Sequence, residues 1–187
     1  YKAMEFAGDG MKNLTMSDRI AICNLCVEAG AKTALMEVDD IALHYLHEHG
    51  REPKACFASD TDAHFAAVYD IDLSTITPIV AKPHFVDNVC PAKEAAGVKI
   101  DEAFLGSCNN GRIEDLRVGA ELLKGRKVHP LVRFLVVPAS QAVYQQALKE
   151  GLLKIFMEAG AIVMNPNCSV CWGSCQGVIG EGETLIS

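Results

Sequence analysis

From residue 103 to residue 164 the chain alternates strand-like and helix-like segments joined by short connections. Ala103 to Ser107 reads as a strand and Arg112 to Lys124 as a helix; Val132 to Val137 is the next strand, followed by helices over Ser140 to Glu150 and Leu152 to Ala159 and a strand over Ala161 to Met164. Successive strands separated by helices cannot pair as hairpins, so they must lie parallel, and a parallel sheet needs cover on its faces. The expected fold class is α/β, with lobes built as three-layer α/β/α parallel-sheet sandwiches.

The first half is less regular. Residues 17 to 29 are almost continuously apolar, with Ser17 placed to cap, Asp18 in the first turn and Gly30 beyond the end, which predicts a buried helix. A short strand over Ala34 to Val38 and a helix over Asp40 to His49 follow. Val68 to Leu73 alternates as a strand would, Pro78 to Ala81 is short and β-branched, and 82 to 100 is broken by Pro83, Pro91 and Gly97. The expected organisation is a first, incomplete α/β lobe over 1–81, a linker over 82–100 and a second α/β lobe over 101–187.

With 187 residues, half of them hydrophobic, the chain can bury a core. A formal charge of −7 with scattered Lys and Arg lacks the electrostatic footprint of a nucleic-acid binder. No apolar run is long enough for a membrane span, and Tyr1 to Gly10 do not look like a signal peptide. Eight cysteines in a chain of this size read as thiols and metal ligands in a reducing compartment, the cytoplasm. Tyr1 in place of an initiator Met predicts a piece of something longer.

Two segments carry chemistry. In Phe104-Leu-Gly-Ser-Cys-Asn-Asn-Gly-Arg-Ile-Glu-Asp115, Cys108 falls at the carboxyl end of a strand and the start of a helix, where backbone N–H groups favour a thiolate. In Asn165-Pro-Asn-Cys-Ser-Val-Cys-Trp-Gly-Ser-Cys-Gln-Gly177, Cys168 and Cys171 have the spacing with which one loop binds one metal centre. Zinc, a redox dithiol and an iron–sulfur cluster all satisfy that spacing. Both segments follow strands of one expected sheet, so their thiols are expected to converge, with three cysteines facing one point.

These segments, with Val136-Val-Pro-Ala-Ser-Gln141, Glu150-Gly-Leu152 and Ile155-Phe-Met-Glu-Ala-Gly160, resemble the aconitase superfamily. The likeness is to the branch of 3-isopropylmalate dehydratase large subunits, homoaconitase and 2,3-dimethylmalate dehydratase. Upstream, Glu5-Phe-Ala-Gly8, Leu14 to Asn24, Glu28-Ala-Gly-Ala31, Ala58-Ser-Asp60 and Val80-Ala-Lys-Pro-His84 resemble the same family, so the likeness covers nearly the whole chain. It implies a hydro-lyase fold of the iron–sulfur domain type and a 4Fe–4S cluster held by Cys108, Cys168 and Cys171. The implied substrate is a small hydroxy di- or tricarboxylate, isomerised by dehydration and rehydration as in leucine biosynthesis. Asn24 and Glu28 match positions that line the active site, and a spacing of four would set them on one helix face.

In the family a small subunit or fused swivel domain supplies the catalytic base, and further site residues lie outside the stretch matched here. This piece alone is therefore expected to be inactive. Asn109 stands where the family carries Thr, which would change hydrogen bonding near the cluster sulfurs. Cys175 stands where relatives carry His. The competing expectation is a non-catalytic module in which Cys168, Cys171 and Cys175 or Cys108 hold a structural zinc. His44, His47 and His49 read as an exposed helix face, Cys23 and Cys26 as core, Trp172 as a shield over the ligand turn, and Arg112 equally as a partner of Glu114 or Asp115 or as a site residue.

Overall fold

Thr15 and Asp18 decide where the first helix begins. Thr15 N–H donates to Asp18 Oδ2 at 2.8 Å and Asp18 N–H donates to Thr15 Oγ1 at 3.2 Å, a reciprocal box that satisfies two otherwise orphaned donors. In the computed structural model, which describes residues 1–187, α1 accordingly spans Met16–Leu25. Thr15 rather than Ser17 is the cap. The helix stops at Leu25 because the chain then winds through a turn to Gly30, whose φ of 85° suits a residue without a Cβ. It is not the buried helix expected, since most of its apolar side chains are only partly covered and its one buried residue is Arg19.

α1 connects β1 (Ala3–Phe6) to β2 (Thr33–Met36), and the two pair in parallel from Ala3↔Thr33 to Phe6↔Met36. α2 (Asp40–Glu48) follows, capped by Asp39, whose Oδ1 accepts from Ala42 N–H at 3.1 Å. Arg19 ties these pieces together. Its guanidinium donates to both oxygens of Asp39 at 2.7 Å and to the carbonyls of Met11 and Leu14 at 2.8 and 3.2 Å. The Arg19 side chain is 3% exposed and that of Asp39 34%, so the guanidinium is buried while its carboxylate partner keeps some contact with water.

The expected strand over 68–73 does not form. Val68, Tyr69 and Ile71 are exposed, and Asp72 instead accepts from Ser74 N–H at 2.9 Å to cap a 3-10 turn over Leu73–Thr75. A short carboxylate offering the backbone a local bond competes with strand pairing, and here nothing lies alongside to pair. β3 (Ile79–Ala81) and β4 (Val89–Pro91) then form an antiparallel pair, so part of the expected linker is ordered structure. All of this lies in the first of two compact units, Tyr1–Ala96; the second is Gly97–Ser187.

The second unit is α/β as expected: β5 (Glu102–Leu105), α3 (Ile113–Leu123), β6 (Arg133–Val136), α4 (Gln141–Lys149), α5 (Leu152–Ala159), β7 (Ile162–Val163) and β8 (Leu185–Ile186). Its sheet runs in the order β7-β6-β5-β8 and every pairing is parallel. Side chains alternate across it. On one face Leu116, Ala120, Val136, Ala147, Leu153, Phe156 and Ala161 form the core under α3, α4 and α5. On the other, Phe104, Leu135, Val137 and Met164 form a second cluster covered by Val170 and Leu185. Helices thus supply one covering layer, and within this chain the third layer is the loop that follows β7.

Arg133 closes the opposite end of this sheet. Its Nε donates to Glu102, which is fully buried, at 2.9 Å, and Nη1 donates to Glu183 at 2.8 Å, joining β5, β6 and the approach to β8. The Arg133 guanidinium, with help from Gly180 N–H, holds the Glu183 carboxyl at about 2 rather than 4.5; Arg19 in the first unit holds Asp39 at about 2 rather than 3.8. Because both folded values are depressed, the stabilisation is complete above the ordinary carboxylate range and is lost as pH falls through it toward 2. Acid titration followed by circular dichroism should show that loss below pH ~4, and Asp39→Asn should remove the share due to Asp39 while lowering stability at neutral pH.

Candidate metal centre

In a sheet whose strands all run one way, the loops after β5, β6 and β7 gather on one rim. The loop after β5 lies directly on the end of β6. A Cβ on Gly106 would stand 2.7 Å from the Val137 carbonyl oxygen, and one on Gly111 would overlap that same oxygen and the Ser107 carbonyl. The tight approach is sealed by Gly111 N–H donating to Ser107 O at 2.8 Å and Ala139 N–H donating to Gly111 O at 2.8 Å. Cys108 is carried, exposed, on this fixed loop.

The second pair of thiols sits on one turn. Cys168 precedes a 3-10 turn over Ser169–Cys171, and Cys171 N–H donates to Cys168 O at 3.0 Å. Asn167 Oδ1 accepts from Ser169 N–H at 2.6 Å, as expected of an asparagine that organises the backbone two residues on. Both sulfurs are exposed, and so is Cys175 farther along the loop.

β5 and β7 flank β6, so the two thiol loops start two strand spacings apart, roughly 10 Å. As the side chains stand, no three His, Cys, Asp or Glu groups are gathered closely enough to hold a metal ion. That applies equally to Cys108 with Cys168 and Cys171 and to the zinc set that adds Cys175. The three thiols share a rim without meeting at a point.

The character of the rim nonetheless suits a soft, thiolate-bound group. Residues 106–112, 137–141 and 164–178 contain no Asp, Glu, His, Lys or Tyr; their ionisable side chains are the four cysteines and Arg112. Carboxylate donors for a hard cation are absent, and thiolates select zinc and iron–sulfur centres. Beside Cys108, Ser107 Oγ, Asn109 Oδ1 and Arg112 Nε are buried without a hydrogen-bond partner, the condition of groups that a ligand or water completes. The residues present fit a cluster in donor type and in the open hydrogen-bonding capacity around one donor.

The remaining expectations resolve individually. Asn24 lies in the last turn of α1 and is exposed; Glu28, also exposed, lies in the turn beyond the helix, so they do not share one regular helical face. Cys26 is buried and its thiol donates to Ile22 O at 3.2 Å, while Cys23 is half-buried; burial pushes both thiols up, away from thiolate chemistry. His44 and His47 face Glu48 and Glu52 at 3.3 and 3.0 Å on an exposed helix side. Arg112 uses its backbone N–H, which donates to Asp115 at 3.0 Å, to start α3. Trp172 is 75% exposed and shields nothing. Ser59, in a segment that resembles the family, donates to Glu5 of another such segment at 2.6 Å.

Two features of these loops were not apparent from sequence, the burial of Ser107 and of Ser169. Both are small polar residues next to a cysteine, and only coordinates reveal that each is fully buried.

The profile of the aconitase family (aconitate hydratase) matches residues 1–97 and 90–187. A 3-isopropylmalate dehydratase large subunit from Acetivibrio thermocellus is 46% identical over all of this chain, which covers 45% of that relative. The corresponding proteins of Aquifex aeolicus and Desulfitobacterium hafniense are 47% and 44% identical, again over the whole chain and 44% of their own lengths. The chain spans a little under half the length of the curated relatives it matches. With matches that run from its first residue to its last, the chain belongs to the aconitase family.

Proposed function

We propose that this chain is the cluster-bearing portion of a 3-isopropylmalate dehydratase-like hydro-lyase, with Cys108, Cys168 and Cys171 as ligands to a 4Fe–4S cluster. The observation that carries the reading is the rim itself: the exposed Cys108, Cys168 and Cys171 stand on two anchored loops at the carboxyl end of one parallel sheet, with no competing carboxylate or imidazole donor. When bound, such a cluster supplies an iron that lacks a protein ligand and acts as a Lewis acid toward a substrate hydroxyl and carboxylate.

The protein's own groups divide the remaining work. Ser107 Oγ and Arg112 Nε offer unused donors beside Cys108, suited to sulfur or carboxylate acceptors. Asn24 and Glu28 are assigned to the lining of the substrate site by their family positions. No group on the rim can take a proton from carbon near neutral pH apart from the thiols. Relatives are named large subunits, which points to a small subunit or fused swivel domain as the partner that brings the base to the site.

Anaerobic reconstitution with ferrous iron and sulfide is expected to give a brown chain with iron and sulfide in equal amounts. A colourless chain carrying stoichiometric zinc would overturn the assignment. Dehydration of a 2- or 3-hydroxy di- or tricarboxylate should require the partner, and turnover by the reconstituted chain alone would contradict the division of labour.

A further inference from the structure

Between the two cysteines of the turn stands Ser169, which is 0% exposed and is the one non-glycine residue with positive φ, 47°. L residues other than Gly, Asn and Asp rarely adopt that backbone, so something must hold it there. The hydroxyl donates to Gln176 O at 2.6 Å and the backbone N–H donates to Asn167 Oδ1 at 2.6 Å. The loop is thereby closed on itself across the residues that carry all three of its thiols.

The closed loop is also fixed to the sheet. Gly177, at φ 87°, lies so close to β6 that a Cβ there would overlap Leu135 Cδ1 and stand 3.2 Å from Ser169 Oγ. Val170 packs into the cluster formed by Phe104, Leu135, Val137 and Met164. The interior of the turn, Ser169 and Val170, is therefore pinned to β6, while its ends, Cys168 and Cys171, stay exposed. The Cys108 loop rests on Val137, the residue that directly follows the same strand. One strand thus indexes both sets of thiols.

We propose that Ser169 is a positioning residue for the metal centre: its buried hydroxyl, bonded to Gln176 O, sets the spacing and direction of the Cys168 and Cys171 thiolates. The inference rests on the cluster reading above. It assigns Ser169 no contact with substrate. A core role alone would be served equally by alanine or glycine, neither of which needs a partner for a buried hydroxyl.

The test compares the reconstituted chain with its Ser169→Ala, Ser169→Gly and Cys168→Ala variants. Glycine accepts the left-handed backbone but lacks the hydroxyl, so it separates the bond from the strain. Both Ser169 variants are expected to fold with unchanged circular dichroism, to show an altered electron paramagnetic resonance signature after one-electron reduction with dithionite, and to lose iron to a chelator about tenfold faster or more. Wild-type spectra and loss rates in Ser169→Gly would refute the proposal while leaving the cluster reading intact. If neither variant folds, Ser169 is a determinant of the fold and the positioning assignment is rejected. A wild-type chain that takes up no more iron than Cys168→Ala would instead refute the cluster reading, and this inference with it.

Discussion

Replacing Cys108, Cys168 or Cys171 singly by alanine is expected to reduce bound iron and sulfide to background, whereas Cys175→Ala and Cys56→Ala keep both. Two thiolates cannot hold a cube that relies on three, so the effect should be all-or-none. The stability of the metal-free chain gives the control. All three sulfurs are exposed and none belongs to either apolar cluster, so each alanine variant should unfold within about 0.5 kcal/mol of the parent. Iron analysis beside urea denaturation separates a lost ligand from a lost fold. Cys108→Ala is the most telling of the set, because its loop springs from a strand two places away from the pair. Iron retained by Cys108→Ala but lost from Cys175→Ala would mean that the long loop binds metal by itself, and the hydro-lyase chemistry would lose its open iron.

The parallel sheet of the second unit was legible because each of its segments expresses one period. Residues 113–123 place Leu116, Ala120 and their neighbours on one side, and β5 and β6 alternate between two cores. Boundaries followed wherever a single residue type dictates them, as at Ser140, whose Oγ accepts from Val143 N–H at 3.2 Å to start α4. The first unit resisted the same reading for reasons of tertiary context. Ser17 looks like a cap, but Thr15 has Asp18 three residues on and so can bond in both directions. Arg19 carries no local signal for burial, yet it is the buried hub, because its partner Asp39 comes from a distant cap. The alternation at 68–73 is real in the sequence, but alternation without an adjacent strand is only a polar and apolar ribbon.

The thiols show the same division. That Cys108, Cys168 and Cys171 stand on loops at one rim of the sheet was readable from the strands that precede them. How firmly the rim is set was not. The packing of Gly106 and Gly111 against Val137, and the left-handed backbone at Ser169, depend on β6 lying between the two loops. No local propensity marks a serine for positive φ, so that feature arises only once the sheet has formed.

Phe156→Ala is expected to destabilise the second unit by about 3–5 kcal/mol, a large share of the roughly 5–15 kcal/mol available to a domain. Phe156 is fully buried at the centre of the helical layer, in one cluster with Leu116 and Ala120 of α3, Val136 of β6, Ala147 of α4 and Leu153 of α5. The ring also touches the backbone of α3 closely, since a Cβ on Gly119 would lie 3.4 Å from its edge and 2.6 Å from Leu105 Cδ2. That closeness bears on how much of the void can collapse. α3 already approaches β5 as nearly as a glycine permits, so it cannot settle further to fill the space, and the cost should fall toward the upper part of the range. Phe156→Leu, which keeps most of the buried surface, should recover the greater part of the loss. Urea denaturation of the two variants decides the matter: an alanine variant within about 1 kcal/mol of the parent would mean that the three helices do not share one core, and that the sheet holds the thiol rim without them.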